Sequence, residues 1–217
     1  MTMKNSTKYG IIFVGLFFLL ALIALGLPKF SENNIKPASN DKPLASNSDK
    51  PINITISSLV VACTHEDLNN YSDTIVTGTV KQILPSKWNT LDGKRPGEDN
   101  VKGDQSSFIY TDIVLSVDKY LKKPSESKES KEIIVRIVGG TIGADRVISE
   151  DEPSFKTGEK VLLYLTKDTI NVDSEHYLVT GSDQGKFILT DDGKAVRPDE
   201  TVSQEELLST IENKSSV

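Results

Sequence analysis

Residues 9–27 read YGIIFVGLFFLLALIALGL, nineteen positions without a charge. A helix rising 1.5 Å per residue would carry this run roughly 28 Å, close to the hydrocarbon thickness of a bilayer. Folded into a globular core, such a helix would need apolar partners on every face. Lys4 and Lys8 precede the run, and no acid occurs before Glu32. Positive charge on a short flank keeps that flank in the cytoplasm. The pattern predicts a cytoplasmic N-terminus over 1–8 and a transmembrane signal-anchor over 9–27. The expected location is therefore the cell membrane, single-pass, with the C-terminal domain outside. The competing reading is a secreted form with a cleaved signal peptide. Secretory apolar segments usually run about 7–15 residues, shorter than this one. Ala24 and Gly26 nevertheless supply small residues for cleavage after Gly26. The lipobox-like Val60-Val61-Ala62-Cys63 lies too far beyond the run to direct lipidation.

Behind the apolar run, residues 28–54 predict a flexible tether. Its stretch 31–51 (SENNIKPASNDKPLASNSDKP) has only Ile35 and Leu44 as larger aliphatics. Such a segment buries too little apolar surface to offset its chain entropy. The chain has 25 Lys and Arg against 31 Asp and Glu, a net charge of −6. Both basic residues before position 28 belong to the anchor flank, so the remainder carries −8. An acidic domain without basic blocks predicts no nucleic-acid partner, because that binding depends on Lys and Arg neutralising phosphates. One cysteine forbids an internal disulfide, and Cys63, His65 and His176 cannot complete a four-ligand Cys/His zinc site.

Residues 55–217 predict one extracytoplasmic β domain. Thr64 reads as an N-cap with Asp67 three residues on, opening a short helix over about 64–71. Residues 74–84 alternate, with Val76, Gly78 and Val80 on one face and Thr77, Thr79 and Lys81 on the other. Residues 107–121 alternate likewise, and strands are expected around Ile133–Ile137 and Val161–Thr166. The segments His176–Thr180 and Lys186–Thr190 flank GSDQG, which suggests a hairpin; Asp192-Gly193 is a second turn signal. Ser203 and Glu206 form a capping box for a closing helix, with Leu207, Leu208 and Ile211 as its apolar stripe. The expected class is mainly β: a small antiparallel barrel of five to six strands, with a short N-side helix and a C-terminal helix.

The succession DTIVTGTV (73–80), FIYTDIVLSVDKYLKK (108–123), EIIVRIVGG (132–140) and FKTGEKVLLYLTKD (155–168) carries a resemblance. It resembles a group of uncharacterised secreted or membrane-anchored prokaryotic β proteins. In form it is also similar to the OB-like netrin and TIMP-type barrel. The similarity covers about residues 57–190 and implies an OB-like fold. It departs from the TIMP type, whose N-terminal Cys-x-Cys and disulfides have no counterpart beside the single Cys63. Protease inhibition through a metal-chelating N-terminus is therefore not carried over.

Few residues carry chemistry. The loop over 85–106 holds Asp92, Glu98, Asp99 and Asp104, oxygen ligands of the kind calcium accepts, although the spacing is not that of an EF-hand. A solvated loop is the plainer reading. Trp88 in that loop is a candidate binding anchor, or else a lid packed over the barrel mouth. Cys63 and His65 adjoin, but neighbours in sequence are rarely catalytic partners; a buried thiol and a surface imidazole are expected. His176 is likewise expected on the surface. Gly139, Gly140 and Gly143 suggest a bulge or corner, since no helix opens after them to cradle a phosphate. Ser149–Glu152 reads as a solvated acidic turn. Asn53, Asn70 and Asn213 head N-x-S/T sequons.

No catalytic residue and no cofactor is predicted. The expected function is a binding module displayed outside the membrane, with an envelope protein or polymer as partner. The alternative is an envelope hydrolase using Asp112, Asp118 or Glu159, which would require two of these carboxylates to face each other across a cleft.

Overall fold

The computed structural model describes residues 50–90, 92–96, 108–125, 128–168 and 175–212. The expected transmembrane segment 9–27, its flank 1–8, the tether up to residue 49 and the acids Glu98, Asp99 and Asp104 lie outside the described residues. Among the described residues no helix is long and apolar enough to cross a membrane.

Five strands close a barrel: β2 (Thr74–Ile83), β4 (Ile109–Lys122), β5 (Glu132–Val138), β8 (Lys160–Lys167) and β9 (His176–Val179). Going round the ring, β2 pairs with β4, β4 with β5, β5 with β9, β9 with β8, and β8 with β2. Four of these pairings are antiparallel; β5 and β9 run parallel. The expectation of an antiparallel barrel is corrected on that point, and the reason is parity. Directions alternate around an antiparallel ring, so a closed ring with an odd number of strands must contain a parallel pair.

The barrel is filled by Val76, Val80, Ile113, Leu115, Ile133, Val135, Val161, Leu163 and Leu165. These are the inward positions of the alternating strands. β8 is apolar from Val161 to Leu165 because those positions are buried on both sides. Its outward Leu162 and Tyr164 join Leu68, Ile75, Phe187, Ala195, Leu207 and Ile211 in a second core. That core seats both helices, α1 (His65–Tyr71) and α2 (Gln204–Glu212). Thr64 and Asp67 make the expected capping box at α1. At α2 the Glu206 N–H donates to Ser203 Oγ at 3.0 Å.

The expected hairpin across GSDQG does not form. β9 and β10 (Lys186–Leu189) lie end to end along the same side of β8, Val179 opposite Leu165 and Lys186 opposite Leu163. The 3-10 turn Ser182–Gly185 is thus an excursion within one long partner of β8. Two strands already facing a common neighbour leave no edge for pairing with each other. β10 instead turns through Gly193 (φ 81°) into β11 (Lys194–Arg197), which pairs with β12 (Glu200–Ser203).

A small side sheet joins β1 (Asn53–Ile56), β6 (Gly140–Ile142) and β7 (Asp145–Ser149), with β1 parallel to β7. Ordered pairing therefore reaches into the end of the expected tether. Asp145 accepts from the Ile52 N–H at 2.8 Å and from Arg95 Nε at 2.8 Å, anchoring that point. The chain leaves β5 for the side sheet at Gly139 and Gly140, whose φ values of 122° and 144° favour glycine. A Cβ on Gly140 would also collide with Ser86 and Thr111. The acidic run following β7 is not a free solvated turn. Asp151 accepts from the Ser58 N–H at 2.6 Å, and Glu150 bonds the Ser57 hydroxyl.

Candidate functional site

The outer face of β4, β5 and β9 gathers side chains of a kind absent from the barrel interior. Alternation along β4 turns Tyr110 and Asp112 outward, and along β5 it turns Arg136 outward. Strand register sets Asp112 directly opposite Arg136. The guanidinium grips the carboxylate with two bonds, Nε to Oδ1 at 2.7 Å and Nη2 to Oδ2 at 3.0 Å. Its central carbon stands 3.7 Å from the centroid of the Tyr110 ring. The fork-on-carboxylate geometry holds the cation still, and the ring holds it flat.

One strand over, His176 Nε2 lies 2.9 Å from Asp168 Oδ2, both nearly covered. Burial, reinforced by the Arg136 charge, pushes the His176 imidazole below its ordinary value, against the pull of Asp168. A neutral ring then donates to a carboxylate, which fixes both side chains at the edge of the face. Beside these polar groups lie half-buried Val114 and Ile134, paired in register, and Leu178 at 36% exposure. The result is a rigid aromatic and arginine pair with an apolar shoulder. Arg and Tyr in such settings are enriched among residues that dominate binding energy.

His176 is thus 6% exposed, which overturns the expectation of a surface residue. It is covered because β9 is a barrel stave, not an arm of a hairpin. His65 also departs from expectation: its Nε2 lies 3.0 Å from Glu200, and its ring meets Phe187 edge-on at 5.8 Å. Cys63 packs against the second core with its backbone N–H on Gln184 Oε1 at 2.7 Å. Burial pushes its thiol up from the ordinary value, with Asp67 adding to the rise, which disfavours the nucleophilic thiolate.

Trp88, the binding-anchor candidate, lies in the short strand β3 (Lys87–Trp88) paired with β4; it is 2% exposed and packs with Ile109 and Val147, with Ile52, Ile54 and Ile56 alongside. The side sheet covers its ring, so it closes one end of the core instead of standing free. Asp92 belongs to a local turn, accepting from the Lys94 N–H at 3.1 Å and from Thr90 Oγ1 at 3.2 Å. That backbone bond, above all, holds its carboxyl below the ordinary value. Among the described residues no group of three His, Cys, Asp or Glu side chains is arranged to hold a metal.

The three carboxylates of the hydrolase reading stand apart. Asp112 is gripped by Arg136, Glu159 lies 2.6 Å from Lys186 Nζ, and Asp118 is exposed further along β4. The Arg136–Asp112 pair had a sequence signal, since each is a charge at an outward position of an alternating strand. The Lys186–Glu159 pair had none, because neither residue interrupts a pattern that would mark it as buried.

No protein-family model matches this chain, and no curated protein matches it.

Proposed function

We propose that this protein is a single-pass membrane protein displaying an extracytoplasmic OB-like barrel as a binding module for an envelope protein or polymer. The observation that carries the reading is the immobilised Tyr110–Arg136–Asp112 stack on the outside of β4 and β5. Numbered one to five along the chain, the barrel strands close in the order 1-2-3-5-4-1, with strands 3 and 5 parallel. That order supports the OB-like reading, and OB-type barrels bind along the face of strands 2 and 3 and the adjoining loops. Here strands 2 and 3 are β4 and β5, and the loop between strands 4 and 5 supplies Asp168. The nineteen uncharged residues over 9–27 and the lysines that precede them support the reading of an anchor with outward display.

Two measurements test this. Membrane fractionation should place the chain with the membrane, and protease added from outside should reach residues 31–217. A soluble cytoplasmic distribution would overturn the topology. For the binding face, affinity capture from native envelope extract should yield a partner that Leu178→Glu and Tyr110→Ala release. Loss of one central anchor costs about 2 kcal/mol, roughly thirtyfold in affinity. Both sites are partly exposed, so the variants should fold. Undiminished capture by both would remove this face from the binding reading.

A further inference from the structure

A second concavity lies away from that face, between the barrel wall of β4, β2 and β8, the turn joining β10 to β11, and the opening turns of α2. It encloses about 420 Å³, within the range of small-ligand sites. Its floor is Leu162, Leu189, Leu207 and Leu208, and its rim carries Asp118, Lys160 and Asp191. The mouth is preformed. Gln204 donates through its side chain to Thr190 O at 2.7 Å and to Lys194 O at 3.1 Å, while its backbone N–H reaches Gly193 O at 2.9 Å. These bonds lock the start of α2 to the turn, so little ordering is left for a ligand to impose.

The rim charges are unbalanced. Lys160 Nζ is already bonded to Asp191 Oδ1 at 2.9 Å. The Asp118 carboxylate has no hydrogen-bond or ion-pair partner among the described residues; Lys160 senses it only through space. Two carboxylates thus stand beside one ammonium that is bonded to only one of them, above an aliphatic floor. A carboxylate ligand would add a third anion to that rim, and an uncharged one would leave Asp118 as it is.

We propose that this groove binds a small aliphatic primary amine, its alkyl chain on the four leucines and its ammonium between Asp118 and Asp191. The site is independent of the β4–β5 face.

The test is a leucine-methyl NMR titration of the full chain in lipid nanodiscs, using n-hexylammonium, 1-hexanol and hexanoate as probes. Hexylammonium should produce saturable shifts centred on Leu162, Leu189, Leu207 and Leu208, with tighter binding than either isosteric probe. Asp118→Asn should weaken hexylammonium about threefold to fivefold, the scale of one exposed charge contact. Asp118 is exposed, so an otherwise unchanged methyl spectrum should show that the fold is kept. No saturable shift, equal affinity for hexanoate, or an unaltered affinity in Asp118→Asn would each overturn the proposal.

Discussion

Replacing Lys186 with methionine is expected to destabilise the barrel domain by about 3 kcal/mol. The Lys186 ammonium is almost covered and lies 2.6 Å from Glu159, whose own side chain is also mostly covered. It donates as well to Ser154 O and stands 4.5 Å from the Phe155 ring centroid. It therefore holds the 153–159 turn against β10. Burial holds its ammonium below the ordinary value, and Glu159 opposes that without cancelling it. Removing the cation leaves a carboxylate in a poorly hydrated position, the costly half of a broken buried pair. For a domain of roughly 160 residues the melting temperature should fall by about 6–12 °C. Trp88 is the chain's single tryptophan and is 2% exposed, so its fluorescence reports unfolding directly. The double variant Lys186→Met with Glu159→Leu should recover most of the loss, because no charge is then stranded. A double variant no better than the single one would show that packing around Phe155, not the ion pair, carries the effect.

Substituting Glu152 with glutamine should stabilise the protein, and only above mildly acidic pH. Burial pushes the Glu152 carboxyl up to about 7 from 4.5, and the neighbouring acids Asp151 and Asp183 push the same way. The backbone bond from Val138 opposes them without cancelling the rise. The folded protein thus holds this proton more tightly than the unfolded chain does. Between about pH 4.5 and 7 the folded state binds the extra proton, so this group's contribution to stability falls as pH rises and levels off above 7. Glutamine keeps an acceptor for the Val138 N–H without a charge to bury. The gain should reach about 1–2 kcal/mol at pH 8 and become small near pH 4.5. Urea midpoints measured for both proteins across that range give the difference directly. A difference independent of pH would mean that the carboxyl titrates at its ordinary value.

Much of the fold was legible because local physics and the final packing agree. The capping box at Thr64 and the N-cap hydroxyl of Ser203 satisfy helix-end N–H groups with residues three apart, so tertiary context had little to change. The alternation in β2, β4 and β5 reports one face in the core and one outside, and the barrel respects it. The continuous apolar run in β8 was equally informative, since a strand covered on both faces needs no alternation.

The absent hairpin and the burial of His176 share one cause. Closeness in sequence favours pairing β9 with β10, whereas β8 recruits both along a single side. A five-residue Gly-containing spacer is compatible with a hairpin or with an excursion beside a common neighbour, and nothing local separates the two. The placement of His176 follows from that choice. A hairpin arm would have left it on the surface; a barrel stave beside Asp168 buries it.

What the sequence alone determined is the set of elements with strong local signals: the nineteen uncharged positions over 9–27, the capped helices, and the inward and outward residues of each strand. The distribution of charge belongs there too, with residues 28–217 at −8 whatever their fold. The tertiary structure decided which charges meet. Asp112 finds Arg136 through strand register, Lys186 finds Glu159 through the order of the sheet, and Asp118 is left at the rim of a groove that α2 helps to enclose. Side-chain periodicity is a property of a few adjacent residues, so sequence displays it. Ring closure, register and the burial of an ion pair depend on contacts between distant residues, and those exist only once the chain has folded.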